Sequence, residues 1–120
     1  MPAQKRIVTA QTGSSEVCRL YIPPEDGDSH FFGRNPTECN ASRQAHPDFV
    51  LEDPSFMQLF MPVMGSCPSG TQPLYRLYNN RPGANHRYVT ERSVREQMVA
   101  AGWIAEGDGP DLVAMCIPGA

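Results

Sequence analysis

Two histidines and two glutamates are the residues whose types best suit chemistry. His30 precedes Phe31 and Phe32, His86 lies two residues before Tyr88, and Glu52 and Glu106 each end a predicted strand before a Pro- or Gly-bearing turn. Imidazole changes charge near neutral pH, and a pair of carboxylates is what glycoside hydrolysis requires. Those four residues would suit a small hydrolase. Their placement argues for a quieter role. The histidines hold equivalent places in the chain, as do the glutamates, so each pair has matching surroundings. Catalysis by paired acids needs surroundings that differ. The plainer reading is a His that bonds its own turn and a Glu that pairs with Arg or accepts turn N–H groups. His46 has no counterpart and precedes Pro47, as an exposed loop residue would. The sequence has no G-x-S-x-G elbow for a nucleophilic serine. Glu25, Asp26 and Asp28 beside Gly27 lack the full calcium-loop pattern and its distal Glu. No cysteine stands in zinc-like spacing with histidine. The sequence therefore predicts no metal, no cofactor and no catalytic residue.

Aromatic and arginine residues offer a binding surface instead. In the strands containing Arg19-Leu20-Tyr21 and Arg76-Leu77-Tyr78, alternation sets the leucines on one face and the Arg/Tyr pairs on the other. Tyr78, Asn79, Asn85 and Arg87 gather around one predicted hairpin. Tyr21 and Arg19 form the matching surface, with Ile22 where Asn79 stands. A flat ring can stack on the apolar face of a sugar while amides and guanidinium groups bond its hydroxyls. The competing role for such rings is core packing, which suits Trp103 and Tyr88; Tyr21 and Tyr78 fit either role.

The elements that would hold these groups read as two copies of one unit. Arg19-Leu20-Tyr21 returns as Arg76-Leu77-Tyr78, Phe49-Val50-Leu51-Glu52 as Trp103-Ile104-Ala105-Glu106, and Leu59-Phe60-Met61-Pro62 as Met115-Cys116-Ile117-Pro118. The expected fold is α+β: two pseudo-symmetric repeats of short antiparallel strands, each with one helix, sharing one core. Residues 1–16 read as a linker or the cut edge of a larger protein, and 17–118 as one domain with repeats 17–62 and 74–118. In the first repeat, Val17–Ile22 and His30–Phe32 are strands. Asn35-Pro36-Thr37-Glu38 opens a helix that ends near His46. Phe49–Leu51 and Phe56–Met61 then form a hairpin across Asp53-Pro54-Ser55. In the second repeat, Leu74–Tyr78 and His86–Val89 are strands. Thr90 caps a helix closed by Gly102, and Trp103–Ala105 pairs with Leu112–Ile117.

At 120 residues and 40% hydrophobic, the chain has material for one folded domain. A net charge of −3 gives no basic field for nucleic acid or an anionic membrane, and no apolar run is long enough to cross a bilayer. Nothing in the sequence sets an oligomeric state. Four cysteines at wide spacing suit two disulfides in an oxidising compartment, against the alternative of reduced core thiols. Of three possible connectivities, Cys18–Cys39 with Cys67–Cys116 is favoured. The first ties a strand to the helix of its own repeat, and the second ties the inter-repeat loop to the last strand.

Several strings together carry a family resemblance. They are Cys18-Arg19-Leu20-Tyr21, Asp28-Ser29-His30-Phe31-Phe32, Cys67-Pro68-Ser69-Gly70-Thr71, Tyr75-Arg76-Leu77-Tyr78-Asn79, Asn85-His86-Arg87-Tyr88 and Ala101-Gly102-Trp103. The chain resembles a tandem-repeat domain of unknown function found at the ends of bacterial secreted proteins. The resemblance implies a secreted or periplasmic setting and an accessory binding role, with surface carbohydrate or a cell-surface protein as partner. It supplies no catalytic residue. The expected function is thus a non-catalytic binding module; the alternative is a small secreted hydrolase or hydrolase inhibitor using the repeated His and Glu.

Overall fold

The computed structural model describes residues 14–119. The expected linker at 1–16 lies outside the described residues except for its last three positions, which already belong to a strand. The chain runs β1 (Ser14–Ile22), β2 (Ser29–Gly33), α1 (Pro36–Ala45), β3 (Val50–Phe60), β4 (Thr71–Tyr78), β5 (His86–Val89), α2 (Arg92–Ala100), β6 (Ile104–Glu106) and β7 (Met115–Pro118). The strands form one antiparallel sheet in the order β2-β1-β3-β7-β4-β5, with β6 also paired to β4. This overturns the expected α+β fold of two helix-bearing repeats. The fold is β-rich, with seven strands and two α-helices of ten and nine residues among the described residues.

Two local features produce the difference. The expected hairpin at Asp53-Pro54-Ser55 does not form. Instead β3 runs through Pro54 as one eleven-residue strand along β1. The ladder absorbs the proline as an irregularity: Val17 faces Met57 and Arg19 faces Asp53, so extra β3 residues are accommodated between them. A bulge of this kind tolerates a residue without an N–H. A second shift, between Arg19 and Leu20, leaves Glu52 between the partners of its neighbours. At the other end, Trp103–Ala105 and Leu112–Ile117 do not make a hairpin with each other. Instead β6 pairs with the second half of β4 (Arg76 to Tyr78), and β7 with the first half (Thr71 to Leu74). That places β7 between β3 and β4, where Phe60 faces Cys116.

The core is divided into three clusters. Cys18, Leu20, Ile22, Phe31 and Cys39 pack under α1. Tyr75, Leu77, Val113 and Cys116 are joined by Met98 and Trp103 under α2. Val17, Ala114 and Met115 sit between, with Phe32 and Tyr88. Leu20 and Leu77 are both fully buried, as strand alternation requires. Both expected disulfides are present, Cys18–Cys39 and Cys67–Cys116, each joining separate elements. Gly33 lies so close to the first that a Cβ there would stand 2.4 Å from Cys39 Sγ.

The outer strands β2 and β5 meet through side chains. The Phe32 N–H donates to Tyr88 Oη at 2.9 Å, and the Tyr88 hydroxyl donates to Phe32 C=O at 3.3 Å. Burial pushes the Tyr88 hydroxyl up to about 12, so it stays protonated as a donor. Beside it, Ser29 Oγ and the Ala84 N–H bond across the same junction, to Ala84 O and Asp26 O. Gly27, at φ 144°, allows that approach: a Cβ there would meet Ala84 O at 2.3 Å.

Helix α1 starts where the sequence places it. Asn35 Oδ1 accepts from the Glu38 N–H at 2.8 Å, and Pro36 fills the first turn. Glu38 Oε1 in turn accepts from the Arg34 N–H at 2.9 Å. Asn35→Ala should therefore lower stability by about 1 kcal/mol, read as a shift in the urea midpoint. An unchanged midpoint would mean that the cap contributes nothing. Helix α2 starts one residue later than expected: Glu91, not Thr90, is its cap residue, and it makes no side-chain cap bond.

Candidate functional site

Each half of the sheet carries an Arg, a Glu, a His and a Tyr on one face. In the first, Arg19 Nε lies 2.9 Å from Glu52 Oε1, and His30 Nε2 lies 3.1 Å from the same oxygen. The β3 bulge brings Glu52 to this position. The Tyr21 ring tilts against His30, and its hydroxyl donates to Asp28 Oδ1 at 2.5 Å. That bond to a carboxylate raises the Tyr21 hydroxyl above its ordinary value. Arg19 also lies over the Phe56 ring. The cluster is open to solvent, with the Arg19 and Glu52 side chains 37% and 36% exposed.

The second cluster has the same members and is far more enclosed. Arg76 Nε donates to Glu106 Oε1 at 2.9 Å, His86 Nε2 lies 3.4 Å from that oxygen, and Tyr78 stacks on the His86 ring. Its Arg76 side chain is only 4% exposed. The difference comes from α1. Glu38 reaches across from that helix and takes Arg76 Nη1 and Nη2 at 2.7 and 2.8 Å, a two-pronged bond. Phe31 from β2 lies under the guanidinium and edge-on to His86. Burial works against charge on Arg76, yet the bonds to Glu38 outweigh it and hold its proton more tightly than usual. Burial likewise tends to raise both carboxyls. For Glu38 the Arg76 bonds prevail, for Glu106 the contacts with His86 and Arg76, and both end below the ordinary carboxylate range.

Above this cluster opens a cleft of about 320 Å³. Phe31, Phe49 and Tyr78 give it apolar walls, Ser42, His46 and Glu106 are among its polar groups, and Glu38, Arg76 and His86 of the cluster line it as well. His46 is the exposed loop residue expected, just past the end of α1, and its ring stacks on Phe49 at 4.4 Å at the edge of the cleft. His86 is 10% exposed, and its Nδ1 has no partner among the described residues.

The structure brings together some of the expected site residues and separates others. Tyr78 faces the cleft. Asn79 is committed to its own turn: its Oδ1 accepts from the Asn85 N–H and its Nδ2 donates to Gly83 O. Asn85 closes that turn through its backbone. Arg87 lies on the opposite face of the sheet, because the register pairs Tyr78 with His86 and Leu77 with Arg87; its guanidinium rests over Trp103. Tyr21 and Arg19 belong to the exposed first cluster. Phe49, Ser42, His46 and Glu38 were absent from the expected ligand surface. The helix signal places Glu38 at a cap, but nothing local in the sequence points it at Arg76. Among the described residues, no group of three or more His, Cys, Asp or Glu is placed to hold a metal ion, and no helix is long and apolar enough to cross a membrane.

A disulfide-stapled antiparallel sheet, with a polar-and-aromatic cleft beside a buried guanidinium, is the class of domain these features define. The chain belongs to the family described as Domain of unknown function (DUF5648), whose pattern it matches over residues 3–109. No curated protein and no solved structure matches it.

Proposed function

We propose that the protein is a non-catalytic, secreted binding module whose cleft takes a carbohydrate. The observation that carries this reading is the cleft itself: rings of Phe49 and Tyr78 beside hydrogen-bonding groups from Ser42, His46 and Glu106. An apolar wall with a few polar groups suits a pyranose, which has one apolar face and a rim of hydroxyls. Binding is favoured over hydrolysis by the company each carboxylate keeps. Glu52 and Glu106 each sit against an Arg and the His of their own cluster. The Glu106 carboxyl, held below its ordinary value by His86 and Arg76, is a poor general acid. Secretion is supported by the two disulfides, which suit an oxidising compartment.

A glycan array followed by calorimetry tests the reading. Tyr78→Ala should abolish binding while lowering stability by only about 1 kcal/mol, the value of the lost ring pair with His86. Undiminished glycan binding by a folded Tyr78→Ala, Phe49→Ala variant would remove the cleft as the site.

A further inference from the structure

We infer that the cleft selects uncharged glycans and turns away acidic ones, with Glu106 as the residue that sets this preference; the inference rests on the binding role proposed above. A guanidinium in a sugar cleft would ordinarily attract uronates, sulfates or phosphates. Here that cation is already matched. Arg76 gives Nη1 and Nη2 to Glu38, Nε to Glu106, and a further Nη1 contact to Phe32 O at 3.2 Å. Glu38 and Glu106 face Arg76, and beside them Arg34 pairs with both Glu38 and Asp108, so three carboxylates stand against two guanidinium groups.

One acceptor in this cluster is left for a ligand. Both contacts to Glu106 use Oε1, which leaves Oε2 without a partner among the described residues. A free carboxylate oxygen at the edge of a ring-lined cleft accepts from a hydroxyl and repels an anion. The Nδ1 of His86, buried in the wall of the cleft, likewise lacks a partner among the described residues. The free Glu106 Oε2 therefore calls for an O–H or N–H donor, which a neutral sugar supplies and a carboxylate or sulfate group does not.

The test compares uncharged oligosaccharides (cello-oligosaccharides and N-acetylglucosamine oligomers) with oligogalacturonate, by calorimetry on the intact chain. The uncharged set should contain a binder, and oligogalacturonate should bind at least about tenfold more weakly than it. That gap should narrow as salt is added. Glu106→Gln keeps the Glu38–Arg76 pair and should narrow the gap several-fold at low salt. Glu106→Asp keeps the charge and should preserve the gap. Near-UV circular dichroism on both variants separates loss of preference from loss of fold. Oligogalacturonate binding as tight as the uncharged ligand, or a gap unaltered in folded Glu106→Gln, would overturn this inference and leave the carbohydrate reading standing. Absence of binding by every sugar would overturn the carbohydrate reading itself.

Discussion

Arg76→Met should cost about 3–5 kcal/mol of stability at neutral pH, the range for breaking a buried ion pair from one side. The methionine keeps most of the stem's bulk, so the loss is electrostatic. Glu38 and Glu106 would be left half-buried and mutually repelling, with only Arg34, 3.7 Å from Glu38, as a remaining guanidinium. The effect should depend on pH with a definite sign. Both carboxyls are held below their unfolded value in the native state. Their contribution is therefore fully present above the unfolded carboxyl value of about 4.3 and is lost as pH falls through the native one. In Arg76→Met the same carboxyls gain by protonation, so acid should hurt the variant less than the parent. Urea midpoints at neutral pH and at about pH 3 measure both effects. An equal gap between parent and variant at the two pH values would show that the guanidinium acts through packing alone.

Replacing Cys67 and Cys116 together by alanine should cost a further large amount, about 2–5 kcal/mol. Cys116 is fully buried in β7, and Cys67 lies in the loop ahead of β4. The bridge closes a separation of 49 residues, against 21 for Cys18–Cys39. On the chain-entropy account the longer loop stabilises by about 0.8 kcal/mol more. Denaturation of the two double-alanine variants should rank them in that order, unless the packing of Gly33 against the shorter bridge reverses it. A loss under about 1 kcal/mol for the Cys67–Cys116 pair would mean that the sheet holds β7 without help.

Local signals in the sequence were read correctly where the structure is local. Asn35 and Pro36 open α1 as their chemistry dictates, and alternation puts Leu20 and Leu77 in the core. Of the three connectivities that the cysteine spacing leaves open, the favoured one is present. What was not legible depends on distant partners. Pro54 reads as a turn, yet β1 holds it in a strand. Trp103–Ala105 and Leu112–Ile117 read as partners of each other, yet β4 is long enough to take both. Equivalence between the halves pointed to symmetric clusters and hid the asymmetry that matters, since Glu38 reaches Arg76 and no such residue reaches Arg19. Alternation within one predicted hairpin groups Arg87 with Tyr78, but the register decides the face, and it gives that place to His86.

The position of β7 between β3 and β4 also sets an order in time. As the chain emerges from its N-terminus, β1, β2, α1 and β3 can assemble, and Cys18 can meet Cys39 across a short loop. The strand that joins this part to β4 is the last one made. Until it arrives, the edges of β3 and β4 that it will cover stay open to other strands. Cys67 meanwhile waits as a free thiol for Cys116, with Cys18 and Cys39 as its only wrong partners within the chain. Early closure of the first bridge removes both of them. Correct pairing would thus gain most from prompt oxidation of Cys18 with Cys39 and from restraint until Cys116 has been made.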